Sequence, residues 1–454
     1  MRVRAATEEG AALRMGHEGA TKVAPHVPLT IGIGAILIAL QGLSLYFQLS
    51  DHATGILPVY LAQGAIWLMV CWAVLTDRLS IWLPVLLVVA LLWRLIVLFA
   101  DPHFSTDIFR YIWDGRVQAA GINPYRYVPA DEALAALRDP TIFARINRAE
   151  YATTIYPPAA QAFFLLVTRL GETVTVMKSA MVVMEALALW GVLRLLRERG
   201  LPSDRAVILA WSPLAVCEIA ASGHVDALMT ALVVLAILTC GWRARGVTGG
   251  LLGIAVLTKF FPLAIVPALW RRWDWRLPAA LAAVLVLGYL PYIGAGWAVL
   301  GFLPGYAGEE GIASGSGFWG LRILRDLSGL TIPTSAYLAT AALCLGGLAL
   351  WVQSWSDDER LTNGPITLAA AAMLALTPVY PWYFVWLLPL VAIARPNRSS
   401  LILLWLVAIS PFLYLHDARV QQWQIDVVYG STLCIAGIVF MSGRFLRNRV
   451  AAHI

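Results

Sequence analysis

The sequence predicts an all-α polytopic membrane protein, and three observations carry that reading. Of the 454 residues, 60% are hydrophobic and only 13% charged, with a mean hydropathy of +0.74; no water-soluble fold hides that much apolar surface. Apolar runs of roughly 17 to 25 residues, the helix length that crosses ~30 Å of hydrocarbon, recur from about residue 29 to about 446. The net charge of +6 resides mainly in arginines placed in short connections between these runs, which is the pattern of a topology signal rather than of a surface for an acidic partner.

The elements follow in chain order. Residues 1–28, with Arg2, Arg4, Glu8, Glu9 and Lys22, are too polar for the apolar centre of a signal peptide and read as a cytoplasmic tail. Spans are expected near 29–49, 56–76 and 80–100, with Arg78 in the second connection, so residues 101–156 form an extracytoplasmic loop. After Tyr156-Pro157-Pro158 an apolar stretch to about 170 lies along the outer surface, and the run from 173 to 195 crosses and ends in Arg194, Arg197 and Arg199. Spans near 205–222 and 225–242 lead to Arg243 and Arg245. The run from 248 to 270 carries Lys259-Phe260-Phe261-Pro262 at its centre and ends at Arg271, Arg272 and Arg276. A mid-bilayer lysine beside a proline fits a hairpin that enters and leaves on the cytoplasmic side; a complete crossing is the alternative. Later spans near 277–300, 333–353, 365–379, 381–394, 399–416 and 425–446 bring the count to about twelve, within one transmembrane domain over 29–446 and with a cytoplasmic tail at 447–454.

This alternation gathers polar and aromatic residues on the outer side. There lie the 101–156 loop, His224 and Asp226, the Gly-rich stretch 301–330 with Glu309 and Glu310, Tyr380-Pro381-Trp382-Tyr383, and His416-Asp417. Several function classes lack their usual parts. The chain has no Gly-x-x-x-x-Gly-Lys phosphate loop, no His-Glu-x-x-His and no Gly-x-Ser-x-Gly. Cys71, Cys217, Cys240, Cys344 and Cys434 all fall in apolar runs without metal-type spacing, so neither a disulfide framework nor a cysteine-bound metal is expected. No repeat of 20 to 50 residues is visible, which disfavours a transporter of inverted repeats.

In the outer loop, Asp107, Tyr111 and Asp114 stand at i, i+4 and i+7, so one helical face presents two carboxylates and a phenol where the chain leaves the bilayer. A hydroxyl becomes an effective nucleophile when a carboxylate accepts its proton, and Asp107 is the best-placed base; capping by Ser105, Thr106 or Asp107 is compatible with that role. Asp114 contacts substrate or pairs with Arg110 at i−4. Asn123-Pro124-Tyr125 reads first as a turn. His224 and Asp226 sit where one span returns into the next, either as satisfied turn residues or as site groups. Lys259 either pairs with Glu218 or Glu185 or meets a lipid phosphate. Arg94 lies ~9 Å inside the outer end of its span by helical rise, where snorkelling is its simplest role. Tyr380, Trp382 and Tyr383 form an aromatic belt or stack on sugar.

The order Thr106-Asp107 with Tyr111, Gly121-Ile122-Asn123-Pro124-Tyr125, Tyr156-Pro157-Pro158, Trp211-Ser212-Pro213, Gly223-His224-Val225-Asp226 and Lys259-Phe260-Phe261-Pro262 resembles the GT-C superfamily of integral-membrane glycosyltransferases. It is similar to the polyprenol-phosphate-mannose-dependent mannosyltransferases and to the mannosyltransferase that starts the glycan of GPI anchors. The likeness covers about residues 80 to 275. It implies a GT-C-like bundle, a polyprenyl-phosphate sugar donor, inverting transfer to a lipid or glycan acceptor on the extracytoplasmic side of the plasma membrane, and a catalytic aspartate in the first large outer loop, the position of Asp107. GPI-type members carry Asp-x-Asp there, whereas this chain reads Asp107-Ile108-Phe109, which weakens the case for a metal. Neither metal nor cofactor is therefore expected, and Lys259, Arg94, Arg110 or Arg116 are the cations for the leaving phosphate. A lipid-linked sugar transporter or flippase is the alternative: it predicts a polar path open to both sides, where an enzyme predicts convergence on one outer cavity.

Overall fold

The computed structural model describes residues 24–50, 53–395, 398–414 and 420–451, and every regular element among them is helical. His416 and Asp417, most of the N-terminal tail and the last three residues fall outside the described residues. The helices are α1 (Val27–Leu49), α2 (Ile56–Leu75), α3 (Leu83–Leu98), α4 (Asp107–Ala119), α5 (Pro158–Thr168), α6 (Val174–Glu198), α7 (Pro213–Ala221), α8 (Asp226–Gly241), α9 (Arg245–Val256), α10 (Arg276–Tyr289), α11 (Trp319–Ser328), α12 (Thr334–Gln353), α13 (Asp357–Leu376), α14 (Leu387–Ile393), α15 (Arg398–Ile409) and α16 (Gln422–Ala451).

Local chemistry sets several boundaries. Proline opens α1, α3 and α5, where its missing N–H is no loss. Thr173 caps α6 through Val176 N at 3.2 Å, and Ser356 caps α13 through Glu359 N at 3.2 Å.

Among the described residues, five segments are long and apolar enough to cross a membrane: α1, α2, α6, α12 and the kinked run Arg276–Glu309. Leu83–Leu98, Arg245–Val256, Pro381–Ile393 and Ser400–Tyr414 are apolar but shorter. The two spans expected at 205–222 and 225–242 are built differently. Pro213, with Ser212 capping Ala215 N, interrupts the first, whose last six residues wind as a π-helix, and α7 then meets α8 at a bend of 119°. Counted as one bent span, the pair brings the total to six. The run expected at 277–300 leaves α-helical geometry after Tyr289 and kinks at Gly296, where φ is +58°.

The segment after α8 turns back on itself. Helix α9 rises ~18 Å over its 12 residues by α-helical geometry. The chain then reverses around Lys259, and the turns from Phe261 to Leu269 return until Arg245 Nη1 lies 3.3 Å from the Leu269 carbonyl. Helix α10 seals this hairpin because Gly249 and Gly253 sit one turn apart on α9. A methyl group at Gly249 would lie 2.2 Å from the Leu277 carbonyl oxygen, so only glycine lets the backbones approach this closely.

Two ends of the bundle differ in chemistry. At one, arginines satisfy helix C-terminal carbonyls: Arg199 donates to Ile393 O, Arg205 to Ala394 O, and Arg360 to Ala268 O and Trp270 O, while Arg199 also reaches Leu361 O in the first turns of α13. At the other, carboxylates, tyrosines, His224 and Lys259 collect around α4. Between them, Arg94 is buried and makes a two-pronged ion pair with Glu185, at 2.6 and 3.0 Å, and a 2.6 Å bond to Ala210 O. Lys178 ties down the end of α3 through Val97 O and Ala100 O, both at 2.7 Å.

Candidate active site

Helix α4 begins at Asp107. Its backbone N–H donates to Ser105 Oγ at 3.2 Å and Thr106 makes no side-chain cap, which leaves the Asp107 carboxylate free of capping duty. Each carboxylate oxygen instead accepts one hydrogen bond: Oδ1 from Asn147 Nδ2 at 3.1 Å and Oδ2 from the Tyr156 hydroxyl at 3.2 Å. Both donors come from outside the helix and fix the carboxylate's plane while leaving a lone pair on each oxygen. The carboxylate faces a small cavity walled by Arg110, Asn147, Arg148, Thr153, Tyr156, Phe302 and Tyr306.

The rest of the predicted face supports this wall. The Tyr111 ring stacks on Phe164 with centroids 4.5 Å apart and meets Tyr156 edge-on; its hydroxyl is buried without a partner. Asp114 accepts from Arg110 Nε at 2.9 Å and from Gln161 Nε2 at 2.9 Å, while Arg110 also donates to Ala152 O. Asn123 holds the Tyr125 backbone N–H and the Tyr292 carbonyl, and the Tyr125 hydroxyl donates to Tyr156 O at 2.7 Å, so the turn at Pro124 braces the tyrosine that braces Asp107. Two predicted residues are engaged elsewhere. Arg116 pairs with Asp139 and Glu172 at the far end of α4, and Arg94 pairs with Glu185 within the bundle.

A second cluster sits at the α7–α8 bend. Lys259 Nζ lies 2.5 Å from Asp226 Oδ2 and 4.8 Å from the centre of the Tyr383 ring; Asp226 thus takes the place of the Glu218 or Glu185 partner expected for this lysine. Glu218 instead accepts from the Tyr414 hydroxyl at 2.8 Å and lies 2.9 Å from His224 Nδ1. The His224 ring packs on Trp382, which stacks on Tyr380 with centroids 4.5 Å apart and planes 6° from parallel. The Tyr383 hydroxyl is 2.9 Å from that of Tyr306, which links this cluster to the Asp107 cavity. Among the described residues, His224 Nε2 and Asp226 Oδ1 are buried without hydrogen-bond partners. At the mouth, Tyr380 donates to Glu310 at 3.0 Å; burial pushes the Glu310 carboxyl above the ordinary glutamate range, and this bond opposes the rise.

Sequence reasoning passed over Asn147, Arg148 and Tyr306, which no local spacing connects to Asp107. Among the described residues no group of three His, Cys, Asp or Glu side chains is arranged to hold a metal ion.

The fold and site define an all-helical membrane-protein bundle with a hydrogen-bonded carboxylate in a cavity at one end. Residues 21–274 match the family described as alpha-(1->6)-mannopyranosyltransferase, N-terminal domain, and the chain belongs to that family. It is 23% identical over 343 residues to alpha-(1->6)-mannopyranosyltransferase A of Mycobacterium tuberculosis, covering 68% of this chain and 65% of that one. It is also 25% identical over 205 residues to a probable alpha-(1->6)-mannopyranosyltransferase of Mycolicibacterium smegmatis, covering 43% of this chain and 35% of the relative. The chain thus spans under two thirds of the length of either relative. No solved structure matches it.

Proposed function

We propose that this protein is a hexosyltransferase that moves mannose from a polyprenyl-phosphate donor to a hydroxyl of a lipid or glycan acceptor, on the extracytoplasmic side and with inversion. The observation that carries the reading is the Asp107 carboxylate, held on both oxygens and facing a cavity at the end of the bundle remote from the carbonyl-binding arginines. Polar groups from α4, α7, α8, the 259 turn and residues 306–383 converge on that one end, an arrangement suited to a reaction site rather than to a two-sided path.

In the reaction we infer, the acceptor O–H gives its proton to Asp107 as its oxygen forms a bond to the anomeric carbon. The bond from that carbon to the phosphate oxygen breaks on the opposite face, and its electron pair leaves with the lipid phosphate. Lys259 is the cation placed to receive that charge. Beside it opens an apolar groove of about 520 Å³, lined among others by Leu257, Phe260, Leu263, Leu285, Val286 and Leu290, which suits an isoprenoid tail. The relatives' names specify an alpha-(1->6) product. If this chain shares it, inversion requires a donor sugar joined to its phosphate in the β configuration.

The arginine-rich end is assigned to the cytoplasm by the same charge rule. We place both termini there, with about twelve crossings of one domain over 29–446, the short apolar helices included, and the 101–156 loop outside. The test is transfer from polyprenyl-phosphate [14C]mannose by purified Asp107→Asn. Removing a general base lowers turnover by roughly 10²–10⁴, and a folded variant with wild-type turnover refutes the assignment.

A further inference from the structure

The Asp107 cavity has a volume of only about 30 Å³. That is room for roughly two or three water molecules, far less than a hexose ring occupies, so a wall of this cavity moves when substrate enters. One wall is the segment from Gly301 to Glu310, tied to residues 380–383 through the Tyr306–Tyr383 and Tyr380–Glu310 hydrogen bonds. Its inner end is fixed. Gly301, at φ +56°, packs so tightly that a methyl group there would lie 1.8 Å from the Thr154 carbonyl oxygen, and Phe302 N–H donates to that same oxygen at 3.0 Å. Its outer end is held by exposed polar contacts: Glu309 accepts from Arg148 Nε at 2.7 Å and from the Tyr151 hydroxyl at 3.1 Å, with both members of the ion pair about one third exposed. Ion pairs this wet contribute little and exchange partners readily.

We propose that Arg148, Tyr151 and Glu309 form the binding site for the acceptor sugar, a neutral hexose, and that they bond to one another when no sugar is present. Their chemistry fits that ligand class. A guanidinium, a carboxylate and a phenol together donate to and accept from vicinal hydroxyls, and the Tyr306 ring beneath Arg148 offers an apolar face for ring C–H groups. Arg148 is aimed by its backbone: it holds a left-handed φ of +56°, a strained state for arginine, and its carbonyl accepts from both Tyr151 N and Ala152 N. Charge also separates this mouth from the donor phosphate. Glu309, Glu310 and Asp107 surround it, against Arg148 and an Arg110 already paired with Asp114, so a phosphate would meet net negative charge, whereas a neutral sugar meets no such repulsion. Asn147, the neighbour of Arg148, holds Asp107, and Arg148 lines the same cavity as the base that must deprotonate a bound hydroxyl.

The proposal rests on the transferase reading, and two measurements separate the failure of each. Binding of methyl α-mannoside to purified full-length protein, read by saturation-transfer NMR on the Asp107→Asn background, needs no turnover. Kinetics with polyprenyl-phosphate mannose and the same acceptor need it. Glu309→Gln and Tyr151→Phe are expected to weaken mannoside binding and raise the acceptor KM roughly tenfold, since each removes a charged or phenolic hydrogen bond, while the donor KM stays within twofold. Mannoside binding that Glu309→Gln leaves unchanged, or a rise in donor KM alone, overturns the acceptor site and leaves the transferase reading standing. Mannoside binding lost in the variants while wild-type protein transfers no hexose from any polyprenyl-phosphate donor overturns the transferase reading and leaves a sugar site.

Discussion

The Lys259–Asp226 pair allows fold and chemistry to be separated by one set of variants. Asp226 is wholly buried and its Oδ1 has no partner, so Oδ2, 2.5 Å from Lys259, carries the compensation of that carboxylate. Lys259→Met strands the charge, and removing one partner of a buried pair costs about 3–5 kcal/mol. Asp226→Asn leaves a lysine that is 14% exposed and sits over the Tyr383 ring, a contact that returns ~0.5–2 kcal/mol, so this variant is expected to be the milder of the two. The double variant removes both charges and is expected within ~1 kcal/mol of wild type, which gives a coupling of at least about 3 kcal/mol. Unfolding in SDS–detergent mixed micelles measures all four proteins. Additive single effects, or a Lys259→Met protein as stable as wild type, refute the electrostatic argument. If the refolded double variant also loses transfer with a raised donor KM, Lys259 meets the donor phosphate; wild-type kinetics in that protein would confine the lysine to structure.

Other outcomes follow from the same geometry. Asn147→Ala removes the neutral hydrogen bond to Asp107 Oδ1 and is expected to lower turnover roughly tenfold at unchanged donor KM; equal rates would show that Tyr156 suffices. Arg94→Met leaves Glu185 unpaired in the bundle and is expected to destabilise by about 3–5 kcal/mol with donor affinity intact in the folded fraction, as read by unfolding and binding together. Gly301→Ala drives a methyl into the Thr154 carbonyl and is expected to destabilise residues 301–310, measured as faster hydrogen exchange there. Glu310, with its pKa raised by burial, favours the folded state while it is protonated and loses that contribution as the pH rises through its folded value. Glu310→Gln is therefore expected to be more stable than wild type at pH 7 and to lose the advantage as the pH falls toward the ordinary carboxylate range.

Hydropathy made the helical bundle legible because bilayer crossing demands apolar length, and α1, α2, α6 and α12 lie within a few residues of the expected bounds. It failed where a span is built from pieces. The π-turn and bend between α7 and α8, and the kink at Gly296, depend on where the chain packs, and an apolar run reads the same whether straight or broken. Asp107 stood out because a carboxylate at the exit of a span has few structural uses. Asn147, Arg148 and Tyr306 did not, since forty or more residues of chain separate each of them from Asp107 and only tertiary packing brings them near. The partner of Lys259 was ambiguous for a related reason: Glu185, Glu218 and Asp226 are equivalent by charge, and the choice among them is made by Arg94 and Tyr414 occupying the first two.

The pairing of Arg94 with Glu185 bears on how the protein is made. The arginine is made 91 residues ahead of its counter-ion, so the third helix is complete before Glu185 exists to neutralise it. Until α6 is made, α3 therefore carries an arginine without this counter-ion, and a nascent chain truncated between the two helices lacks the ion pair that joins them.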